Sequence, residues 1–265
     1  MRRLHGIGVL VTRPEEQAAP LCRLLETEGA ASFRLPALAI EPVDAAIRPA
    51  AGAADDPFEL IIFTSANAVR FGIPQLRLPG DAPSVAGAPA LAAVGPATAH
   101  ALHLAGHRAA VQPDQSFDSE GLLAHPRLRE LRGRRILLVK GCGGRELLAE
   151  ELRRRGAALE VAEVYRRVPA RPAAAALQSV DRALAADAVQ VVTATSLEIG
   201  ANLLAMAPPS WRTAFDRLLW LVPGERVAAG LRQLGVHAPL LRADSAEDQD
   251  LVTALVRWRS SVSGA

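Results

Sequence analysis

The stretch Ile136–Pro169, ILLVKGCGGRELLAEELRRRGAALEVAEVYRRVP, constrains the fold more than any other part of the chain. It reads as strand, glycine turn, helix, strand. The run Ile136-Leu137-Leu138-Val139 is short, apolar and bounded by a breaker, which fits a buried strand. Gly141, Gly143 and Gly144 predict a turn that bares backbone N–H groups at a helix start. The helix carries acids early (Glu146, Glu150, Glu151) and arginines late (Arg153, Arg154, Arg155), matching its macrodipole. Glu150 with Arg154, and Glu151 with Arg155, have the spacing of i,i+4 pairs. Gly156 is the natural stop. The next strand, Leu159–Tyr165, runs to the only tyrosine of the chain, and Pro169 and Pro172 then turn it aside.

The same grammar recurs on either side. Gly8–Val11 reads as a strand, Thr12 to Glu15 as a capping box opening a helix that Gly29 closes, and Ser32–Leu35 as a second strand. Leu38–Pro42 is an extended connector, and Ala45–Asp56 is alanine-rich and expected to be helical. Leu60–Phe63 is a buried strand running into the cap signal Thr64-Ser65-Ala66-Asn67. Pro79–Pro89 reads as loop. Ala90–Val94 is a strand ending at Gly95-Pro96-Ala97-Thr98, with helix to about Ala105. Ala109–Val111 is a short strand, and Asp118 caps another helix. After Pro172 come a helix to about Ala186 and the strand Val189–Val192, then Thr195 and Glu198 at capping-box spacing. Leu218–Val222, Leu240-Leu241 and a terminal helix Ser245–Trp258 complete the chain. Strands alternating with helices specify α/β with mainly parallel sheets.

Three pairs of segments echo one another. FTSANAV resembles ATSLEIG, AVGPATAHAL resembles LVPGERVAAGL, and LVTRPEEQAAPLCRLLETEGA resembles the glycine-turn segment, each at roughly 130 residues' separation. A near-constant offset argues for two related domains. Either each half folds alone, or the first strand–helix–strand unit joins the C-terminal part. Pro36, Pro42, Pro169 and Pro172 favour two extended crossings, hence a domain inserted in a domain.

Half of the 265 residues are hydrophobic, few are aromatic, and the formal charge is only +2. The charges are interspersed, so no basic stripe marks a nucleic-acid partner. Lys140 is the only lysine. Cys22 and Cys142 lie far apart and form no metal spacing, which suits a reducing compartment. The N-terminus lacks the apolar core of a signal peptide, and no run reaches membrane-spanning length, so a cytoplasmic protein is expected.

In open parallel sheets ligands gather at the carboxyl ends of strands. Those ends carry Thr12-Arg13, Thr64-Ser65, Gly95, the glycine turn, Thr195-Ser196 and Gly224-Glu225-Arg226. Hydroxyls and glycines leave helix N-termini open, each a modest anion site worth about 0.3–1 kcal/mol. Several facing one cleft would hold a polyanion without many cations. Taken singly, each hydroxyl is equally a plain helix cap, and Arg13, Asn67 and Arg145 are ordinary surface residues. The turn is no Walker A, because the lysine–hydroxyl pair is missing, and it lacks the third glycine of a dinucleotide fingerprint. His103 and His107 have i,i+4 spacing but no acidic third ligand for zinc.

Together, VLVTRP, FTSANAV, AVGPATAHAL, GCGGRELLAEELRRRGA followed by VYRR, VVTATSLE and GERVAAGLRQLG resemble uroporphyrinogen-III synthase of the bacterial type, over nearly the whole chain. The resemblance implies two similar domains with mainly parallel sheets flanked by helices, joined by a two-stranded connector. One domain is inserted in the other: residues 38–168 within a discontinuous domain of 1–37 plus 169–265. It implies closure of 1-hydroxymethylbilane, an eight-carboxylate linear tetrapyrrole, with loss of water and D-ring inversion through a spiro intermediate. No metal or redox cofactor is implied. Tyr165, at the family's VY position, is the expected general acid. Thr64, Ser65, Gly95, Thr98, Thr195 and Ser196 are expected to hold carboxylates. Arg13, Asn67, Gly141, Gly143, Gly144, Arg145 and Arg226 complete the expected binding set. Arg226 stands where some relatives carry a hydroxyl. The implied chain is a monomer whose partners are the tetrapyrrole substrate and, transiently, the preceding bilane-forming enzyme, with neither nucleic acid nor membrane. The rival readings are a non-catalytic two-lobed binding protein and a nucleotide-dependent α/β enzyme.

Overall fold

In the computed structural model the short apolar runs become parallel strands buried on both faces, as strands covered by helices on either side must be. Residues 2–45, 47, 57–76, 78, 88–144 and 146–263 are described. In chain order the elements are β1 (Gly8–Val11), α1 (Glu15–Thr27), β2 (Ala31–Arg34), β3 (Leu38–Pro42), β4 (Leu60–Phe63), α2 (Ala66–Leu76), β5 (Ala90–Ala93), α3 (Pro96–Leu104), α4 (Ser119–Ala124) and β6 (Arg135–Gly141). They continue with α5 (Leu147–Arg154), β7 (Ala158–Pro169), α6 (Ala174–Ala185), β8 (Val191–Thr193), α7 (Leu197–Met206), α8 (Arg212–Phe215), β9 (Leu219–Pro223), α9 (Gly224–Gln233), β10 (Leu240–Ala243) and α10 (Asp248–Ser263). No described helix is long and apolar enough to cross a membrane.

The chain divides into two compact units, Met1–Ala39 with Val168–Ala265, and Ile40–Arg167. The first holds a sheet of order β10-β9-β8-β1-β2, the second a sheet of order β3-β7-β6-β4-β5. Reversed, the second reads β5-β4-β6-β7, which superimposes in order on β9-β8-β1-β2. The match extends one position further, because Val111 bridges Ala92 of β5 in parallel, on the side where β10 flanks β9. The two sheets are therefore one architecture in two chain orders, and the sequence echoes fall on equivalent strands. The bonds Val43 N–H to Val164 O and Ala170 N–H to Ala37 O run in opposite senses along β3 and β7, so this pair is antiparallel.

Strand alternation sorts the second unit's core. Ile61 and Phe63 of β4 and Leu137 and Val139 of β6 face α2 with Ala68, Val69 and Leu76. Leu60, Ile62, Ile136 and Leu138 face Leu122, Leu148 and Leu152 on the other side. This is the period-two pattern of a sheet with helices on both faces. Gly72 lets α2 come close: a Cβ there would lie 2.7 Å from Val139 Cγ1. In the first unit the core joins β1 and β8 to Leu21 and Leu25 of α1 and Leu251 and Leu255 of α10.

Several local expectations are corrected. Thr12 does not cap α1, whose N-cap is Pro14 without a side-chain bond. Thr12 is buried instead, its N–H donating to Thr193 Oγ1 and its hydroxyl to the Thr193 carbonyl. The α7 cap is Ser196 rather than Thr195, with Ile199 N–H donating to its Oγ at 3.2 Å. Ala109–Val111 is no strand but a single bridge. The terminal helix starts at Asp248, because Ser245 accepts from Glu247 N–H and donates to Asp250, closing a turn ahead of it. The predicted helix over Ala45–Asp56 and loop over Pro79–Pro89 lie mostly outside the described residues. Asp118 does cap α4, accepting from Gly121 N–H at 2.7 Å.

On α5, Glu151 binds both Arg154 and Arg155, so Arg154 pairs at i,i+3 rather than with Glu150. Arg155 also donates to the Leu123 and Leu128 carbonyls, tying α5 to the segment around α4. Hydrogen bonds from the two guanidiniums pull the Glu151 carboxyl down to about 2 from its ordinary 4.5. A depressed carboxyl stabilises the fold above its unfolded pKa, and that contribution is lost as pH falls toward the folded one. Thermal unfolding of wild type and Glu151→Gln should therefore differ near neutrality, and the gap should close between about pH 4.5 and about pH 2. A gap independent of pH would show that the ion pairs contribute nothing.

Candidate functional site

In the second unit, β4, β5, β6 and β7 run parallel, so their C-terminal ends and the helix starts that follow share one edge. Two of the predicted segments, Thr64-Ser65 and the glycine turn, meet Tyr165 there, and Gly95–Thr98 follows the neighbouring β5. Thr64 leaves β4 half-buried, its N–H and hydroxyl both directed at the Val139 carbonyl, at 3.1 and 3.3 Å. Ser65 caps α2 by accepting from Ala68 N–H at 3.1 Å. Its Oγ also lies 3.1 Å from Tyr165 Oη. Asn67 is half-buried in the first turn of α2. Gly95, in extended conformation, precedes α3 with no side-chain cap, and Thr98 is buried one turn in. Pro96 has no N–H and the Thr98 N–H donates to the Gly95 carbonyl at 3.1 Å, so in the first turn of α3 the Ala97 amide is left for solvent or an anion.

The position of Tyr165 depends on a bulge. β6 and β7 pair in step from Arg135↔Ala158 to Lys140↔Glu163, and then Gly141 pairs with Tyr165. Val164 is the extra residue. Alternation puts Ala162 and Val164 on the α2 face, which would send Tyr165 to the opposite one. The bulge resets the phase, so consecutive residues Val164 and Tyr165 both join the α2-side core. The ring, 8 % exposed, sits 6.0 Å from that of Phe71. Gly141 is required beneath it: a Cβ there would stand 2.5 Å from Tyr165 Cζ and 2.9 Å from Oη.

The glycine turn is less open than its composition suggests. Gly143 and Gly144 have φ of +70° and +86°, so the turn needs their left-handed freedom. But Cys142 N–H donates to the Tyr165 carbonyl at 2.7 Å and Gly143 N–H to Glu163 Oε1 at 3.1 Å. Burial and then the Glu163 carboxylate push the Cys142 thiol up. The buried Lys140 reaches across the turn to Glu146 at 2.7 Å and holds that carboxyl below the usual range by hydrogen bond and charge. Arg145 lies outside the described residues.

The sheet of the first unit has its own carboxyl edge, with the ends of β1, β8, β9 and β10. Arg13 is buried, with its two terminal nitrogens engaged by Asp248 and the Ala246 carbonyl. It anchors the α10 start rather than offering a free cation. Thr195 is half-buried and Ser196 is the α7 cap. Gly224, φ +69°, opens α9 without a side-chain cap. Glu225 pairs with Arg242, and Arg226 is exposed, with no ion pair among the described residues. Sequence reasoning missed Thr193, Phe71 and the Ser65–Tyr165 contact. Thr193 could have been suspected from a second polar residue at the end of a buried run. The contact depends on the bulge, for which no residue type gives a signal. No cluster of three or more His, Cys, Asp or Glu suited to a metal ion occurs among the described residues.

A family model described as uroporphyrinogen-III synthase HemD matches residues 19–252. Uroporphyrinogen-III synthase of Escherichia coli K12 is 31% identical over 256 residues, covering 94% of this chain and 100% of the relative. The Salmonella typhimurium LT2 protein of that name shows the same identity and coverage. Among solved structures, uroporphyrinogen-III synthetase of Helicobacter pylori 26695 matches with a TM-score of 0.62 at 14% identity, over 95% of this chain and 99% of that one. A mutant uroporphyrinogen III synthase of the extremely thermophilic bacterium Thermus thermophilus matches with a TM-score of 0.55 at 23% identity, over 98% and 100%. The structural likenesses carry the fold, the full-length sequence matches carry the relationship, and on these the chain belongs to the uroporphyrinogen-III synthase family.

Proposed function

We propose that this enzyme is a cyclising hydro-lyase that converts 1-hydroxymethylbilane to uroporphyrinogen III, with Tyr165 as general acid. Membership of the family places the chain in tetrapyrrole biosynthesis and disfavours a non-catalytic binding protein. The observation that carries the chemistry is the Tyr165 hydroxyl, turned by the bulge toward the carboxyl edge of its sheet and hydrogen-bonded to Ser65. Loss of the bilane hydroxyl needs a proton delivered to its oxygen as the C–O bond breaks. A phenol fixed at a strand end can give it, and such acids typically contribute about 10²–10⁴-fold. The bilane closes readily without inversion, so the larger task is to hold the D ring against that competing path.

The substrate carboxylates are assigned to the helix starts after Thr64, Gly95, Ser196 and Gly224, with Arg226 the cation available beside the last. Asn67, Thr98, Thr195 and the Gly141–Gly144 turn line these starts. Glu163 already accepts from the Gly143 amide, so a substrate carboxylate must displace it there. We place the protein in the cytoplasm, where its two free cysteines remain reduced. We take the working form to be a monomer that receives its substrate, a linear tetrapyrrole, directly or transiently from the bilane-forming enzyme. No cofactor takes part in this reading.

In an assay coupled to bilane production and scored for type III against type I isomer, Tyr165→Phe should lower kcat by about 10²–10⁴-fold with the fold intact. Wild-type turnover would remove Tyr165 from the chemistry. Arg13→Ala should cost about 1.5–3 kcal/mol of stability, read by denaturant unfolding, with KM unchanged. A raised KM at unchanged stability would return Arg13 to the binding set.

A further inference from the structure

We propose that Ser65 is a positioning residue for Tyr165: its hydroxyl donates to the phenol oxygen and so leaves the phenol proton free for the substrate. The inference rests on Tyr165 being the general acid. A serine hydroxyl has one proton and two acceptor sites. One acceptor site takes Ala68 N–H at 3.1 Å, which fixes Oγ over the α2 start. The other contact of Oγ among the described residues is Tyr165 Oη, at 3.1 Å. If tyrosine were the donor, its proton would be tied to serine and withheld from the substrate. With serine as donor the phenol proton points away from Ser65 and is available to the substrate, which is what a general acid requires.

The rest of the ring's surroundings leave that direction to Ser65. Gly141 admits the ring against β6, where any side chain would collide with Cζ and Oη. Phe71 closes the other side at 6.0 Å. Both fix the plane, and neither carries a side-chain polar atom to aim the hydroxyl. When the phenol proton passes to the departing hydroxyl oxygen, water leaves and the electron pair of the broken O–H bond stays on Oη. The Ser65 proton then faces a phenolate. Ser65 is itself polarised by an amide at the positive end of α2, so the bond strengthens as charge develops. The proton released on ring closure restores the phenol. This assigns Ser65 to the tyrosine rather than to a substrate carboxylate.

Because Tyr165 is the only tyrosine of the chain, carbon-13 at tyrosine Cζ reports it as a single resonance. Ser65→Ala and Ser65→Gly, the latter still a tolerated helix cap, should shift that resonance, and Ser65→Thr should restore it. In the coupled assay, the first two should lower kcat on the order of 3–10-fold with KM unchanged, and raise the type I fraction. Ser65→Ala added to Tyr165→Phe should produce no further loss. An unmoved resonance overturns the proposal. So does a raised KM at unchanged kcat, or an equal loss in the Tyr165→Phe background. Wild-type turnover in Tyr165→Phe, with the resonance still shifting, would overturn the acid assignment and the positioning role with it, while leaving the hydrogen bond.

Discussion

One extra residue in β7 decides what the second unit can do. Parallel pairing with β6 would otherwise keep strict alternation, and Tyr165 would face the α5 side of the sheet. The bulge at Val164 lets two consecutive side chains face α2, and three other features depend on it. Gly141 must lack a side chain, since the shifted register lays the phenol across its Cα. Phe71 acquires a ring neighbour. The α2 cap acquires a second partner, so one serine both ends a helix and meets the phenol. The Cys142 amide is satisfied by the Tyr165 carbonyl, which locks the shift from the backbone side.

The doubled architecture explains why the chain order is awkward while the sheets are regular. The strands β8, β9, β10, β1 and β2 form one sheet, and β4, β5, the Val111 bridge, β6 and β7 repeat that order. In the second unit the repeat is read straight through. In the first it is entered at β1, left after β2, and resumed at β8. Every parallel connection within a repeat still carries a helix, as crossovers demand. β3 has no counterpart in the first sheet: it is the antiparallel edge beside β7, where the chain passes between its two units.

This order was legible because the signals are local and repeated. Short aliphatic runs, hydroxyl or glycine at their ends and a closing glycine occur in each repeat, and the echoes align equivalent strands. Legibility failed where the partner is distant in sequence. Thr12 and Glu15 have the letters of a capping box, but the neighbouring strand supplies Thr193, and a buried bond between strand ends takes the hydroxyl instead. Thr195 and Glu198 fail by one residue, since Ser196 has the extended backbone a cap needs. The glycine turn reads as bare amides, yet Glu163, twenty residues on, reaches back to one of them. Composition shows which groups exist, and only the register shows which are already occupied.

Occupancy also decides how a polycarboxylate can be held. At the strand ends Arg13 is engaged by Asp248, Lys140 by Glu146 and Arg242 by Glu225. Each such cation presents a neutral pair to a ligand, and an incoming carboxylate must compete with the acid already there. Arg226 is exposed and apart from these pairs. No side chain caps the start of α3 or α9, and although the first turn of α9 holds Glu225, that carboxylate is already paired with Arg242. Each contributes little alone. The cost of using them is correspondingly small, because nothing in the fold must be undone first. The helix starts of each unit, taken by itself, would answer to where a carboxylate stands rather than to summed charge.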